Sequence, residues 1–131
     1  MISCYIPDIP HPINVVFGTQ GSSKTTANKL IQNLIDPSKL ENLSLPSNTE
    51  KFIETIAPHW WISFDNISNI SNTLSDELCK CVTGGSSSKR KLYTDDDKVI
   101  YTYCNCISLN GINCVVNRPD LMDRSYSFAI N

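Results

Sequence analysis

The sequence lacks any long hydrophobic run, because charged or polar residues interrupt each apolar stretch. A helix that spans a bilayer needs about 20 consecutive apolar residues, so we expect no membrane partner. The first residues, MISCYIPDIPHP, also lack the basic start and the apolar segment that are typical of a secretion signal. We therefore predict a cytoplasmic protein whose six cysteines are free thiols and not a disulfide framework.

The sequence also has little net charge. Its formal net charge is -2, with 11 basic and 13 acidic residues. Strongly basic proteins are drawn to nucleic acid by bulk electrostatics, and this composition provides no such attraction. Any contact with DNA would have to come from a local basic patch.

What the chain does contain is an alternation of two kinds of apolar segment. Short continuous apolar runs predict strands, and apolar residues at helical spacing predict helices. The predicted strands cover residues 13–17, 59–65, 106–110 and 126–130, and the main predicted helices cover residues 25–36, 48–58 and 73–83. This alternation predicts an α/β fold, a three-layer α/β/α arrangement around a mainly parallel sheet, in a single domain over residues 1–131.

The same patterns predict local details of the elements. In the first helix, the expected apolar face consists of Ala27, Leu30, Ile31 and Leu34. The third helix is expected to begin at a cap, either Thr73 or Ser75, and to end at residues 84–85. Residues 89–103 predict a β-hairpin whose turn contains the acidic residues 95–97.

The segment GTQGSSKTT follows the first predicted strand and opens the first predicted helix. In that context the backbone N–H groups of a glycine-containing loop, together with the positive end of the helix, can bind phosphates. Lys24 would reach the β- and γ-phosphates of ATP, and Thr25 would bind Mg²⁺ through its hydroxyl. A Gly/Ser turn that merely precedes a helix is the alternative. The predicted nucleotide-binding residues are Gly18, Thr19, Gln20, Gly21, Ser22, Ser23, Lys24, Thr25 and Thr26.

This loop departs from the usual pattern at Ser23, where a second glycine normally precedes the lysine. Glycine at that position permits a positive φ or close packing. Serine is small enough for close packing but does not freely adopt a positive φ. Because Gly18 and Gly21 remain, we expect the loop to bind nucleotide.

Polar residues end two further apolar strands. Asp65 follows a continuous apolar run, and an acid at that point is expected to hold Mg²⁺ through water. Asn110 ends the next strand, where its side chain either hydrogen-bonds the γ-phosphate or water, or forms a turn with Gly111.

Asn66 bears on hydrolysis, because many ATPases carry at that position a glutamate that orients the attacking water. An amide can position water but cannot accept its proton, so slow hydrolysis is expected. Asp76 or Glu77 could supply the missing base only if the fold brought one of them close.

Five segments carry a resemblance to a known family: GTQGSSKTT, FDNIS, LSDELCKCVTGG with the following RKLYTDDD, ISLNGI, and RPDLMDRS, all between residues 11 and 130. In this order they resemble an AAA+-type P-loop ATPase core. More narrowly, they are similar to the helicase-like ATPases of phage, plasmid and archaeal elements that are related to superfamily III helicases. The resemblance implies that Lys24 and Thr25 belong to Walker A, Asp65 to Walker B and Asn110 to sensor 1. It also implies that the helical lid of that family is absent here.

The resemblance further implies a homo-oligomeric ring and DNA as a possible partner. Arg124, in RPDLMDRS, would be an arginine finger that reaches the γ-phosphate of a neighbouring subunit, with Arg118 as the second choice. Both arginines could instead form surface ion pairs with Asp120 and Asp123.

Three functions fit these residues. The first is an oligomeric Mg²⁺-dependent ATPase, in a DNA helicase or replication role. The second is a nucleotide-binding structural or regulatory module with little or no hydrolysis, which Ser23 and Asn66 favour. A small-molecule kinase ranks last, because neither a basic lid nor an acid that binds the acceptor is evident.

Overall fold

The structure, a computed structural model, describes residues 2–38, 43–90 and 98–130. After a short 3-10 helix at Ile2–Tyr5, the strands are β1 (Ile13–Gly18), β2 (Trp61–Ile67), β3 (Gly85–Arg90), β4 (Lys98–Tyr103), β5 (Cys106–Gly111) and β6 (Ser125–Ile130). The helices are α1 (Lys24–Ile35), α2 (Thr49–Ile56), α3 (Asn72–Thr83) and α4 (Pro119–Met122). The predicted alternation of strands and helices is confirmed.

Four strands form one all-parallel sheet in the order β2-β5-β1-β6. Leu109 of β5 pairs with Val15 of β1 on one side and with Phe64 of β2 on the other. Every residue of β5 is buried, which explains why its sequence is continuously apolar except for Ser108 and Asn110. The prediction of a mainly parallel sheet is therefore confirmed.

The apolar core lies on the face of this sheet that packs against α2, α3 and α4. It joins residues of β1, β2 and β5 with buried residues of those helices, among them Phe52, Ile56, Leu78, Val82 and Leu121. A smaller cluster of Cys4, Trp61 and Cys106, against which Ile31 and Ile35 of α1 pack, lies apart from it. The fold is compatible with a three-layer α/β arrangement.

The predicted apolar face of α1 is half right: Ile31 packs against the small cluster and Ala27 is partly buried, but Leu30 and Leu34 are not on the buried side. Leu30 and Leu34 are 67% and 66% exposed, and the buried residues of this helix are Lys24, Asn28 and Gln32. The reason is the polar sheet surface beneath the helix: Asn14 Nδ2 donates to Ser108 Oγ at 3.2 Å, and Ser108 Oγ donates to Asn28 Oδ1 at 3.0 Å.

The cap of α3 also differs from the prediction. Ser71, and neither Thr73 nor Ser75, accepts a hydrogen bond from the backbone N–H of Leu74, at 3.3 Å. The helix therefore begins at Asn72, and it ends before Gly84, as predicted.

A separate antiparallel pair, β3 and β4, corresponds to the predicted hairpin. Its first strand begins at Gly85, four positions earlier than the predicted Lys89, and its register runs from Gly85↔Tyr103 to Arg90↔Lys98. The predicted turn at residues 95–97 lies outside the described residues.

Within the part of the chain that the structure describes, no helix has the length and apolar character needed to cross a membrane.

The depth of Phe64 in the core generates a stability prediction. Its side chain is fully buried and its ring lies 5.9 Å from that of Phe52, so Phe64→Ala should lower the free energy of unfolding by about 3–5 kcal/mol. Phe128→Ala is the matched control, since Phe128 is 52% exposed and its loss should cost less than about 1 kcal/mol. Urea unfolding of the two variants and the parent measures both values. Equal losses would contradict the described core.

Candidate functional site

The carboxyl ends of β1, β2 and β5 meet at one edge of the parallel sheet, where ligands commonly bind in open α/β sheets. A cavity of about 400 Å³, hereafter the edge cavity, lies there. It is lined by Gln20, Gly21, Lys24, Thr25, Asp65, Asn66, Asn110, Gly111 and Ile112. The fold thus brings together seven of the residues singled out in the sequence, from three separate segments.

The other residues of the predicted loop do not line this cavity, and Gly18 among them is tightly packed. Gly18 ends β1, and a Cβ atom at that position would lie only 1.9 Å from the carbonyl oxygen of Ile130 on the neighbouring β6. No side chain fits there, so Gly18 permits the close approach of two strands.

Ser23 immediately precedes α1 and adopts the left-handed conformation, with φ 60° and ψ 19°. Position 23 therefore requires a positive φ, which glycine would adopt without an energetic cost. A non-glycine residue in this conformation costs about 1–2 kcal/mol. The Ser23 side chain caps no helix N–H group, so it offers no evident compensation.

Lys24 is folded back onto the loop, with only 9% of its surface exposed. Its Nζ donates to the carbonyl oxygens of Gly18 at 2.9 Å and Thr19 at 2.6 Å, and to Ser22 Oγ at 3.0 Å. All three acceptors are uncharged. The ammonium group therefore lies at the loop with its positive charge unneutralised by these contacts.

Thr25, Asp65 and Asn110 form a hydrogen-bonded group at the base of the cavity. Thr25 Oγ1 donates to Asp65 Oδ2 at 2.9 Å, and Asn110 Nδ2 donates to Thr25 Oγ1 at 3.4 Å. Asn110 is 1% exposed, and its Oδ1 is a buried acceptor without a partner. A buried unsatisfied acceptor is costly, so it marks a place for a water or ligand donor.

The described residues contain no cluster of three or more His, Cys, Asp or Glu side chains that could hold a metal by themselves. Thr25 and Asp65 would provide one hydroxyl and one carboxylate. Mg²⁺ is commonly held in this way, by one or two carboxylates together with substrate phosphates and water. The residues present therefore fit a metal that arrives with a phosphate ligand.

Asn66 lies at an irregularity in β2, where the register with β5 shifts between Phe64 and Ile67. Its φ is 55°, its side chain is exposed, and its backbone N–H donates to Asp65 Oδ1 at 2.7 Å. The bulge thus orients the Asp65 carboxylate from the side opposite to Thr25.

Neither candidate replacement for the missing base lines the edge cavity. Asp76 forms an ion pair with Arg118 at 2.6 Å, and Glu77 forms one with Lys80 at 2.7 Å. Asp65 is thus the one carboxylate among the described residues that line this cavity.

The structure places Arg124 at the other end of the sheet. It immediately precedes β6, and its carbonyl oxygen accepts the N–H of Ile13, the first residue of β1. Its guanidinium donates to the carbonyl oxygen of Asp120 at 2.7 Å. Arg118 is engaged elsewhere, because it also donates to the carbonyl oxygen of Asn72 at 2.9 Å. Within one chain, neither arginine belongs to the edge cavity.

Gly111 and Ile112 line the cavity but were not singled out as site residues. A Cβ atom on Gly111 would lie 2.7 Å from the carbonyl oxygen of Ile67, so glycine is needed where β5 passes the bulge of β2. The available signal was the Asn110-Gly111 pair, in which Asn110 predicts either a site residue or a turn, whereas Gly111 predicts a turn alone.

The conformation of Ser23 generates a second prediction. Ser23→Gly should raise the free energy of unfolding by about 1 kcal/mol, because it removes left-handed strain at the start of α1. Ser44→Gly is the control, because Ser44 is exposed and its backbone lies outside the left-handed region. Glycine there increases the entropy of the unfolded chain and relieves no strain, so this variant should have a slightly lower free energy of unfolding. Urea unfolding of both variants decides the point. A lower free energy of unfolding in Ser23→Gly would contradict the claim that Ser23 is strained.

Comparison with known proteins adds a family to this geometry. No curated protein matches the chain significantly. A protein-family model, described as actinomycete integrative conjugative element replication protein, matches residues 1–131. That match covers the whole sequence, and the chain therefore belongs to the family of actinomycete integrative conjugative element replication proteins.

Proposed function

We propose that this chain is a P-loop ATPase core of AAA+ type, which binds ATP with Mg²⁺ in the edge cavity and hydrolyses it in a homo-oligomer during DNA replication. The observation that carries the proposal is the meeting of Lys24, Thr25, Asp65 and Asn110 at the carboxyl edge of a parallel sheet. The family description, a replication protein, supports the cellular setting.

Phosphate binding is the first step of this proposal. The three oxygens that now accept from Lys24 are uncharged, whereas phosphate oxygens are charged and form shorter, stronger hydrogen bonds with an ammonium group. The first turn of α1 has no side-chain cap, so its N–H groups and the positive helix end favour an anion. A triphosphate would therefore take over Lys24 from the loop.

Metal binding would use the Thr25–Asp65 pair. One lone pair of the Thr25 oxygen accepts from Asn110 and the other is left for Mg²⁺, while its hydrogen continues to bind Asp65 Oδ2. Asp65 would hold a water of the ion, and the second carboxylate oxygen stays fixed by the N–H of Asn66. The metal would supply charge neutralisation for the phosphates.

Hydrolysis requires an oriented water. The unpaired Oδ1 of Asn110 and the amide of Asn66 are the groups suited to position it. Neither group takes up a proton, and Asp65 is committed to the metal, so we infer slow turnover by a single chain.

This lack of a base favours one alternative function specifically. A module that binds ATP and scarcely hydrolyses it, in a structural or regulatory role, needs Lys24, Thr25 and Asp65 but no general base. The two proposed functions differ in whether a neighbouring subunit contributes a catalytic group to the edge cavity.

An oligomer would supply transition-state charge stabilisation, which the single chain lacks in addition to a general base. Arg124 lies at the end of the sheet away from the edge cavity, so it can contribute to catalysis only in a neighbour's cavity. An arginine supplied in this way stabilises the charge that develops on the transferred phosphoryl group.

DNA is proposed as the partner on the family description. With a net charge of -2, the chain has no general attraction for DNA. Contact would depend on local basic residues, and the sequence places Lys89, Arg90, Lys91 and Lys98 in or next to the hairpin strands.

The first test is ATP binding in the presence of Mg²⁺, measured by titration calorimetry. Lys24→Ala should weaken binding roughly tenfold or more, because a hydrogen bond to a charged group contributes about 1.5–3 kcal/mol. Lys51→Ala removes an exposed lysine of α2 and should leave the affinity unchanged. Absence of binding by the parent chain at millimolar ATP would reject both functions.

The second test separates the two functions by turnover. In the ATPase, the rate per chain should rise with protein concentration, and Arg124→Ala should lower kcat about 10³-fold while ATP affinity is kept. In the binding module, the rate should stay at the level of Lys24→Ala at every concentration, and Arg124→Ala should change nothing.

A further inference from the structure

Two of the six cysteines lie together, away from the edge cavity. Cys4, in the 3-10 helix, and Cys106, the first residue of β5, belong to the small cluster that they form with Trp61. They are 7% and 1% exposed, and they pack together in that cluster. Cys104 has a different environment, because its Sγ donates to the carbonyl oxygen of Ile9 at 3.2 Å.

Trp60 holds the backbones of both cysteines. Its indole Nε1 donates to the carbonyl oxygen of Cys4 at 2.7 Å, and its own carbonyl oxygen accepts the N–H of Cys106 at 2.9 Å. Tyr5 adds a further anchor for the 3-10 helix, since its hydroxyl donates to the carbonyl oxygen of Leu34 at 3.2 Å. The 3-10 helix and the start of β5 are therefore held next to each other through Trp60.

The two thiols differ in reactivity. The hydrogen bond with Cys106 lowers the pKa of Cys4 to about 7, whereas the same contact and burial raise the pKa of Cys106. The thiolate is the reactive form of cysteine, so Cys4 is the nucleophile of the pair. Cys4 also lines a second cavity, of about 410 Å³, between α1 and β6, through which a small oxidant can approach.

We propose that Cys4 and Cys106 form a reversible redox pair that a peroxide converts to an intramolecular disulfide. The Cys4 thiolate attacks one oxygen of hydrogen peroxide, the O–O bond breaks, and Cys4 sulfenic acid forms as hydroxide leaves and is protonated to water. The Cys106 sulfur then attacks the sulfenic sulfur, its proton passes to the leaving hydroxyl, and a second water departs. Two thiols are oxidised and one peroxide is reduced to two waters.

The disulfide would attach the 3-10 helix covalently to β5, the strand that carries Asn110. The bridge closes a loop of about a hundred residues, and such long loops give the largest loss of entropy in the unfolded chain. Oxidation therefore stabilises the fold, and reduction by a dithiol restores the two free thiols.

The test treats the full chain with hydrogen peroxide and maps its peptides without reduction. We expect one Cys4–Cys106 disulfide that dithiothreitol reverses, and a rise in Tm of roughly 5–15 °C in the oxidised form. Cys4→Ser and Cys106→Ala should each abolish both effects, whereas Cys104→Ser, the matched control, should keep them.

Three results would overturn the proposal: a bridge that involves Cys104 or Cys114, oxidation of Cys4 to the sulfinic acid without a bridge, or no change of either thiol. The Cys106→Ala variant keeps a small apolar side chain in the cluster. If it were nevertheless to unfold, Cys4→Ser would give the same decision, because serine is nearly isosteric with cysteine and the 3-10 helix contributes this one buried residue to the cluster.

Discussion

The placement of β5 between β1 and β2 is the constraint on which the candidate site depends. β5 is buried throughout and pairs in parallel with both neighbours. Because the three strands run in one direction, their carboxyl ends coincide, and Asn110 comes within 3.4 Å of Thr25, 85 positions earlier in the chain. A shift of β5 by one residue would turn Asn110 to the other face of the sheet and remove it from Thr25 and Asp65. The core that fixes this register therefore also fixes the site.

Backbone strain is concentrated at the same edge. Two of the three non-glycine residues with a positive φ in the described chain are Ser23 and Asn66, which lie at the edge cavity or next to it. Asparagine tolerates this conformation better than serine, because its side chain can hydrogen-bond locally. Strain of this kind persists only where the surrounding structure imposes it, and it is common at ligand sites. The two outliers thus support a function for this edge independently of its polar side chains.

Much of this arrangement was predictable from the sequence, for a physical reason. Strands buried on both faces are continuously apolar, so Asp65 and Asn110 stood out as the polar residues that end them. Parallel strands bring their carboxyl ends to one edge of a sheet, and the structure has both residues at that edge with Lys24. The distance of Arg124 from the cavity and the partners of Asp76 could not be predicted, because they depend on how distant segments pack. The cap at Ser71 was missed since several serines and threonines there satisfy the same local pattern.

The prediction for Leu30 and Leu34 in α1 failed for a different reason, and the same reason explains how Lys24 is oriented. The prediction assumed an apolar surface beneath the helix, but that surface carries Asn14 and Ser108. The helix accordingly turns toward the sheet a polar stripe at a spacing of four residues, consisting of Lys24, Asn28 and Gln32. Asn28, which accepts from Ser108, and Lys24 lie on this one stripe, so a single rotation of the helix accounts for the position of both. A rotation that buried Leu30 and Leu34 would carry Lys24 away from its acceptors in the loop. The exposure of those two leucines is therefore a consequence of the geometry that holds the lysine at the site.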